Sequence, residues 1–389
     1  MTASLVLFWG AAAALAAGHL LVPLTLRALR PWLRRPLEKR PIEPSVSVVI
    51  SASNEERHIT AKIEDCLRFD YPSSLLEILV ISDGSTDRTN AILAQVRDPR
   101  VRVHVVPERL GKANAQNVGA GLARHEVLFF TDATTTHPPD VLRRLLPSLA
   151  DPGVGCASGR PVFRTDSGGV SRGAEARFAF ELQSRDALGS IFSLLGAQDC
   201  VYAVPRVLYR PVRPDLDGGF VGPLLILEAG RRTVYEPEAL AYVERPAPDV
   251  GSEFARRSRI VLRGMRGLLA LRRLLNPFTH PALASALVFT RLLRWLTPIF
   301  LVALLGANLA LLERPVYRFT LAAQAAFYAV ALAGCFAHRA RLPLGSVLSL
   351  PFYFCLLAAS AAAGLWRLVR GETGQTWQTL RAPVDKIAP

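Results

Sequence analysis

Four stretches of this chain contain no Asp, Glu, Lys or Arg: Ala3 to Leu26, Trp295 to Leu312, Phe319 to Ala337, and Leu342 to Trp366. A bilayer core of about 30 Å needs roughly 20 helical residues at 1.5 Å each, so all four are long enough to span, Trp295 to Leu312 being the shortest. The alternative, four buried helices of a large soluble fold, requires uncharged runs of a length scarce in such folds. The chain therefore reads as a multi-pass membrane protein, with the first anchor over residues 1–27 and three helices over 291–370. With half the residues hydrophobic, disorder is excluded as well.

No basic residue precedes the first stretch, whereas Arg27, Arg30, Arg34, Arg35, Lys39 and Arg40 follow it. That asymmetry marks an uncleaved anchor whose trailing side faces the cytoplasm. Three further crossings put the loop with Arg339 and Arg341 inside and the tail (371–389, with Arg381 and Lys386) outside, against the positive-inside bias. An extra embedded stretch around Pro277 to Phe289, interrupted by Arg291 and Arg294, restores the count.

The five cysteines, Cys66, Cys156, Cys200, Cys335 and Cys355, stand far apart with no Cys-x-x-Cys pair, which excludes a disulfide framework or zinc cluster. The net charge of +14 does not point to nucleic acid: no aromatic-basic recognition motif is present, and much of the charge hugs the apolar stretches. From Glu253 to Leu275 the sequence reads as a basic amphipathic helix, part of an interface segment over 251–290. At 100° per residue Arg256, Arg259, Arg263 and Arg266 share one arc, opposite Val261, Met265, Leu268 and Leu269. Such a helix turns its arginines to anionic headgroups or simply to solvent.

Between anchor and helical end lies a polar block, residues 44–250, in which short apolar strands alternate with helical segments. Strands are expected at Ser45–Ile50, Leu76–Ile81, Val101–Val106 and Glu126–Phe130, and helices at His58–Leu67, Arg88–Val96 and Ala113–Ala123. This rhythm makes βαβ units and a parallel sheet that gathers ligands at the carboxyl ends of its strands. The chemistry then belongs to the loops after Ile50, Ile81, Val106 and Phe130.

Those loops are polar. Ser51-Ala52-Ser53-Asn54-Glu55-Glu56 follows the first strand and Ser82-Asp83-Gly84-Ser85-Thr86-Asp87 the second. A carboxylate before a Gly-Ser turn suits a base or ribose, although Ser85, Thr86 or Asp87 equally caps the next helix. Gly111-Lys112 opening a helix suits a phosphate. Asp132, emerging from the apolar Phe129-Phe130, suits a divalent cation against a diphosphate, with Thr134 as a neutral oxygen two residues on. His19 and His137 read as structural. A dinucleotide oxidoreductase is excluded, because SASNEE is not a Gly-x-Gly-x-x-Gly turn.

Taken together, SVVISASNEE, ISDGSTD, GKANAQNVG and FTDATT, in this order and spacing, resemble the membrane-bound family-2 glycosyltransferases. The likeness continues through GAQDCVYAVPR, FVGPLLILEAGRRTVYEPEA, FARRSRIVLRG, LLNPF, LLRWLTP and WQTLR. The resemblance implies an α/β GT-A domain (Rossmann-like, mostly parallel sheet) on the cytoplasmic side of the inner membrane, flanked by transmembrane helices. It implies that Ala52, Asn54 and Glu55 lie along a UDP-linked nucleotide-sugar donor, with Asp83 at its base or ribose and Lys112 near the nucleotide. Asp132 would be the first acid of the Asp-x-Asp motif, holding Mg²⁺ or Mn²⁺ against the diphosphate. An acceptor hydroxyl, lipid-linked or on a saccharide, then attacks the anomeric carbon with inversion, its proton taken by a general base.

Where the family commonly places an acidic pair before the aromatic aligned with Phe220, this chain has Gly218-Gly219. Asp217 lies just upstream, and Asp199 stands where a glycine is usual. Asp217 and Asp199 are the two candidates for the base; Asp217 is otherwise a turn residue, and Asp199 a buried carboxylate bonded to Arg206. Arg291 replaces the first residue of a Gln-x-x-Arg-Trp motif whose Arg294-Trp295 are kept, which favours single-sugar transfer over polymer extrusion. The competing function is a catalytically impaired homologue acting as a partner in a glycan-assembly complex.

Overall fold

The computed structural model describes residues 2–164, 172–244, 250–340, 342 and 345–374. Arg341 and the WQTLR stretch with Arg381 and Lys386 lie outside the described residues. The expected strands form; the third has the expected bounds, and the other three run two residues further at their carboxyl ends. They are β1 (Val46–Ala52), β2 (Leu76–Asp83), β3 (Val101–Val106) and β4 (Val127–Asp132). Asp83 and Asp132 are thus the last residues of their strands. All of β1 and β2 is buried, which is what continuous apolar runs specify for strands covered on both faces.

One eight-stranded sheet has the order β3-β2-β1-β4-β7-β6-β8-β5, adding β5 (Thr135–Thr136), β6 (Val154–Arg164), β7 (Tyr202–Pro205) and β8 (Arg232–Glu244). Its first four strands are parallel, and the chain moves outward on either side of β1, so a topological switch point lies beside the β1 C-terminus. The other half is mixed. β7 runs antiparallel to β4 and β6, and β6 then pairs parallel with β8. The core beneath β5 is polar in one place: Lys62 is fully buried, its Nζ donating to the Thr135 carbonyl at 2.7 Å and lying 3.5 Å from Asp65. His137 is structural as expected, buried between the Leu240 carbonyl and the Thr131 hydroxyl. The five cysteines are free.

Among the described residues three helices are long and apolar enough to cross a membrane: Thr2–Leu33, Pro315–Arg339 and Ser346–Val369. The stretch beginning at Trp295 is not a simple fourth. Helix Pro281–Trp295 meets Thr297–Leu309 at 67°, so the additional embedded segment expected near Pro277–Phe289 is one arm of a bent pair. Pro298 at the start of the second arm is the local cause of the break. The bend is seated on the first helix, Arg294 donating to the Gly18 carbonyl at 2.8 Å and His19 bonding Thr297 at 2.7 Å. Arg266 reaches both Asp215 of the polar domain (2.7 Å) and the Glu372 carbonyl (3.2 Å). The residues just after the last helix therefore lie beside the polar domain.

The basic helix runs from Val250 to Ala270. Its arginines do not all face outward as the periodicity suggests. Arg263 donates to the Pro214 and Leu216 carbonyls, Arg266 pairs with Asp215, and Arg256 pairs with Glu253. The arc thus clamps the turn before Asp217. Glu253 is buried, and Arg257 and Arg256 outweigh that burial and hold its carboxyl down to about 2. A depressed carboxylate contributes stability that is complete above its ordinary value near 4.5 and lost as pH falls toward 2. Glu253→Gln should therefore cost on the order of 3 kcal/mol at neutral pH, with the gap to the natural chain closing between about pH 4.5 and 2. Thermal unfolding in detergent across that range measures it; a gap that persists at pH 2 would contradict the assignment.

Candidate active site

Four loops meet at the carboxyl edge of the parallel half. Ala52 ends β1 and is buried. Asn54 sits in the left-handed region (φ 57°), where asparagine is tolerated, and its Oδ1 accepts from the Thr86 amide at 2.8 Å. Glu55 Oε2 lies 3.0 Å from His58 Nδ1, and its amide donates to Thr89 Oγ1 at 2.8 Å. The first two loops are thus tied to each other. Asp87 takes the capping part of the two readings of its loop, accepting from the Thr89 amide at 3.0 Å.

Asp83 is 3% exposed and accepts from two backbone amides, Leu110 at 3.0 Å and Gly111 at 2.7 Å. It fastens the third loop to the end of β2, while a carboxylate with about four acceptor positions retains capacity for a ligand. Gly84 (φ 57°) permits the contact, because a Cβ there would stand 2.7 Å from the Arg109 Cα. The next residue of that loop, Lys112, opens helix Lys112–Leu122 and places Nζ 2.5 Å from Asp132 Oδ1 and 3.7 Å from Asp199 Oδ2. Asp83 and Asp132 are therefore gripped by consecutive residues of one turn, Leu110 to Lys112.

Asp199 is not bonded to Arg206, whose guanidinium turns to the Ala123 carbonyl. It lies instead against Gly219: a Cβ built on that glycine would collide with the Asp199 carboxyl group, its Cγ only 2.9 Å away. The acid at 199 thus fills the space that a side chain at 219 would take. The Gly219 carbonyl accepts from the Ala197 amide at 2.7 Å, locking the two loops in that arrangement. Asp217 is half-buried at the N-cap of helix Gly218–Glu228.

The electrostatics follow from this crowding. Burial opposes the Lys112 ammonium, but Asp132 and Asp199 outweigh it and raise the lysine above its ordinary value. Burial raises Asp132, with Asp199 adding and Lys112 opposing. Asp217 is raised by burial and then by Asp199, against Arg263 and Lys112. Three carboxylates share one ammonium, an imbalance that suits a divalent cation, and all are hard oxygen donors. Asp199 Oδ1 is shut from solvent and accepts no hydrogen bond among the described residues. Asp132 and Asp199 therefore fit a magnesium-like or manganese-like ion, although the described residues hold no ready-made cluster of three or more His, Cys, Asp or Glu ligands.

The carboxyl edge of a half-parallel sheet at its switch point, with a lysine and three acids gathered there, is an arrangement whose chemistry suits a diphosphate group. Residues 47–198 match the family model described as glycosyl transferase family 2. The chain is 30% identical over 216 residues to a beta-monoglucosyldiacylglycerol synthase of Synechocystis sp. (50% of this chain, 45% of that one). It is 28% identical over 275 residues to an N-acetylglucosaminyltransferase of Rhizobium meliloti (62% and 61%). The chain spans about half the length of the curated relatives it matches. In fold it is similar to a mannosyltransferase from Pyrobaculum calidifontis solved with GDP-Man and Mn²⁺, with TM-score 0.67 and 24% identity over 92% of this chain and 99% of that one. The fold is thus GT-A.

Proposed function

We propose that the protein transfers a sugar from a UDP-linked donor to a lipid-linked or saccharide acceptor, with inversion at the anomeric carbon, at the inner face of the cytoplasmic membrane. The observation that carries this is the carboxyl group of Asp199 standing in the space of the missing side chain at Gly219. An acid is present where a base is needed, although it comes from the facing loop. Asp199 takes the acceptor hydroxyl proton as its oxygen bonds to the anomeric carbon and the bond to the diphosphate breaks. Lys112 meets the charge released on the diphosphate, and the Asn54 and Asp83 loops fix the nucleoside. Asp132 would hold Mg²⁺ or Mn²⁺, which when bound supplies charge neutralisation on the leaving group.

The full chain in detergent, offered UDP-glucose, UDP-N-acetylglucosamine and GDP-mannose with Mn²⁺ or EDTA, should release nucleoside diphosphate from one UDP-sugar, and EDTA should abolish release. Turnover of GDP-mannose alone overturns the donor assignment. Tight nucleotide binding without turnover of any donor would favour the silent assembly partner instead.

A further inference from the structure

Four guanidinium groups from three elements act electrostatically on one carboxylate, Glu181. Arg185 comes from helix Arg172–Ile191, Arg257 from the basic helix, and Arg291 and Arg294 from the first arm of the bent pair. Burial alone would raise Glu181, but these four arginines outweigh it and hold its carboxyl below the usual range. None of them is spent on it: among the described residues no ion pair within 4.0 Å joins Glu181 to any arginine, and neither Arg185 nor Arg291 has a carboxylate at that distance. Arg257 is shared with Glu253, and Arg294 holds the Gly18 carbonyl. Arg185 donates to the Gly196 carbonyl at 2.8 Å, while its Nε is buried with no hydrogen-bond partner among the described residues. Arg291 lies over the Phe220 ring (5.7 Å), with Nη2 3.3 Å from where a Gly196 Cβ would be.

Gly196 and Phe220 flank the locked pair that carries Asp199, so this positive cluster adjoins the reacting edge on one side and the apolar helices on the other. Guanidinium groups crowded together with too few carboxylates among them repel one another unless an anion enters, and their planar forks suit phosphate oxygens. We propose that this cluster is a phosphate subsite for the acceptor, which is then an anionic lipid carrying a phosphate headgroup rather than a neutral glycerolipid or free saccharide. The proposal rests on the transferase reading for its function, whereas the binding itself does not depend on it. Arg291 is the element of this chain that makes the site, since a glutamine at that position would leave the surplus much smaller.

The test uses the full chain in detergent micelles carrying either dioleoylphosphatidic acid or dioleoylglycerol, with UDP and Mn²⁺ titrated separately. Phosphatidic acid should bind at least tenfold more tightly than dioleoylglycerol. Arg291→Gln should weaken it about tenfold while leaving UDP affinity within twofold, and the exposed Arg272→Gln should change neither. Equal binding of the two lipids, or an equal loss with Arg272→Gln, overturns the proposal. So does a loss confined to UDP, which would give the cluster to the donor diphosphate. Should Arg291→Gln fail to fold, Glu181→Gln serves: it enlarges the positive surplus and should tighten phosphatidic acid severalfold, and no tightening counts against the subsite. Failure of UDP to bind while phosphatidic acid binds sinks the transferase reading and leaves the subsite standing.

Discussion

Asp199→Gly is expected to lower turnover by a factor of about 10²–10⁴, the contribution typical of a general base, and adding Gly219→Asp is expected to restore most of it. The argument is steric before it is chemical. A Cβ at position 219 and the carboxyl group of Asp199 claim one volume, so a side chain at 219 displaces that carboxyl group. Gly219→Asp alone should accordingly be both destabilised and inactive, because it forces two acids into the space of one. The double variant removes the clash and returns a carboxylate to the same locus from the opposite loop. Donor turnover and UDP affinity, measured on all four proteins, separate the effects: affinity should hold within severalfold in the single Asp199→Gly and in the double variant while turnover falls and recovers. A double variant no faster than Asp199→Gly removes Asp199 from the proton transfer. If Asp217→Asn then abolishes turnover, the base is Asp217 instead.

That exchange shows what the sequence could and could not disclose. The alternation of apolar strands with helices was enough to place the strand ends, because a strand covered on both faces must be apolar throughout and the first polar residue after it marks the rim. Asp83 and Asp132 were legible on that basis. The position of Asp199 was not, since residues 199 and 219 are joined only by the pairing of two loops across β7 and helix Gly218–Glu228, and no local spacing encodes that. The available signal was a paired departure: an acid where glycine is usual and glycine where an acid is usual. The basic helix misled for a related reason. Its 100° periodicity separates polar from apolar faces correctly, but periodicity cannot say whether a polar face meets headgroups or the carbonyls of a turn. Here Arg263 and Arg266 found Pro214, Leu216 and Asp215. Lys62 escaped for the opposite reason: a lone cation on a short helix gives no sign that a carbonyl from β5 awaits it inside the core.

The second large effect is expected at Asp132→Asn. Its Oδ1 holds Lys112 at 2.5 Å, and both side chains are largely buried. Removing the charge leaves an ammonium whose next carboxylate, Asp199, is 3.7 Å away, so the pair loses its main compensation inside a poorly solvated site. Breaking such a pair typically costs about 3–5 kcal/mol, a large share of a domain's stability. Turnover should fall as well, by about 10²–10³, because the leaving diphosphate loses the group that would hold its counter-ion. The two losses have different remedies. Lys112→Met on the Asp132→Asn background should recover much of the thermal stability, since it removes the stranded ammonium, but none of the turnover, since lysine and metal would both then be gone from the diphosphate. Thr134→Asp should act the other way, supplying a second carboxylate two residues from Asp132 and lowering the Mn²⁺ concentration for half-maximal activity about tenfold. Asp132→Asn with unchanged turnover and unchanged metal requirement would mean that the ion pair is only a brace between β4 and the Lys112 turn. The catalytic charge would then have to come from the arginines that act on Glu181.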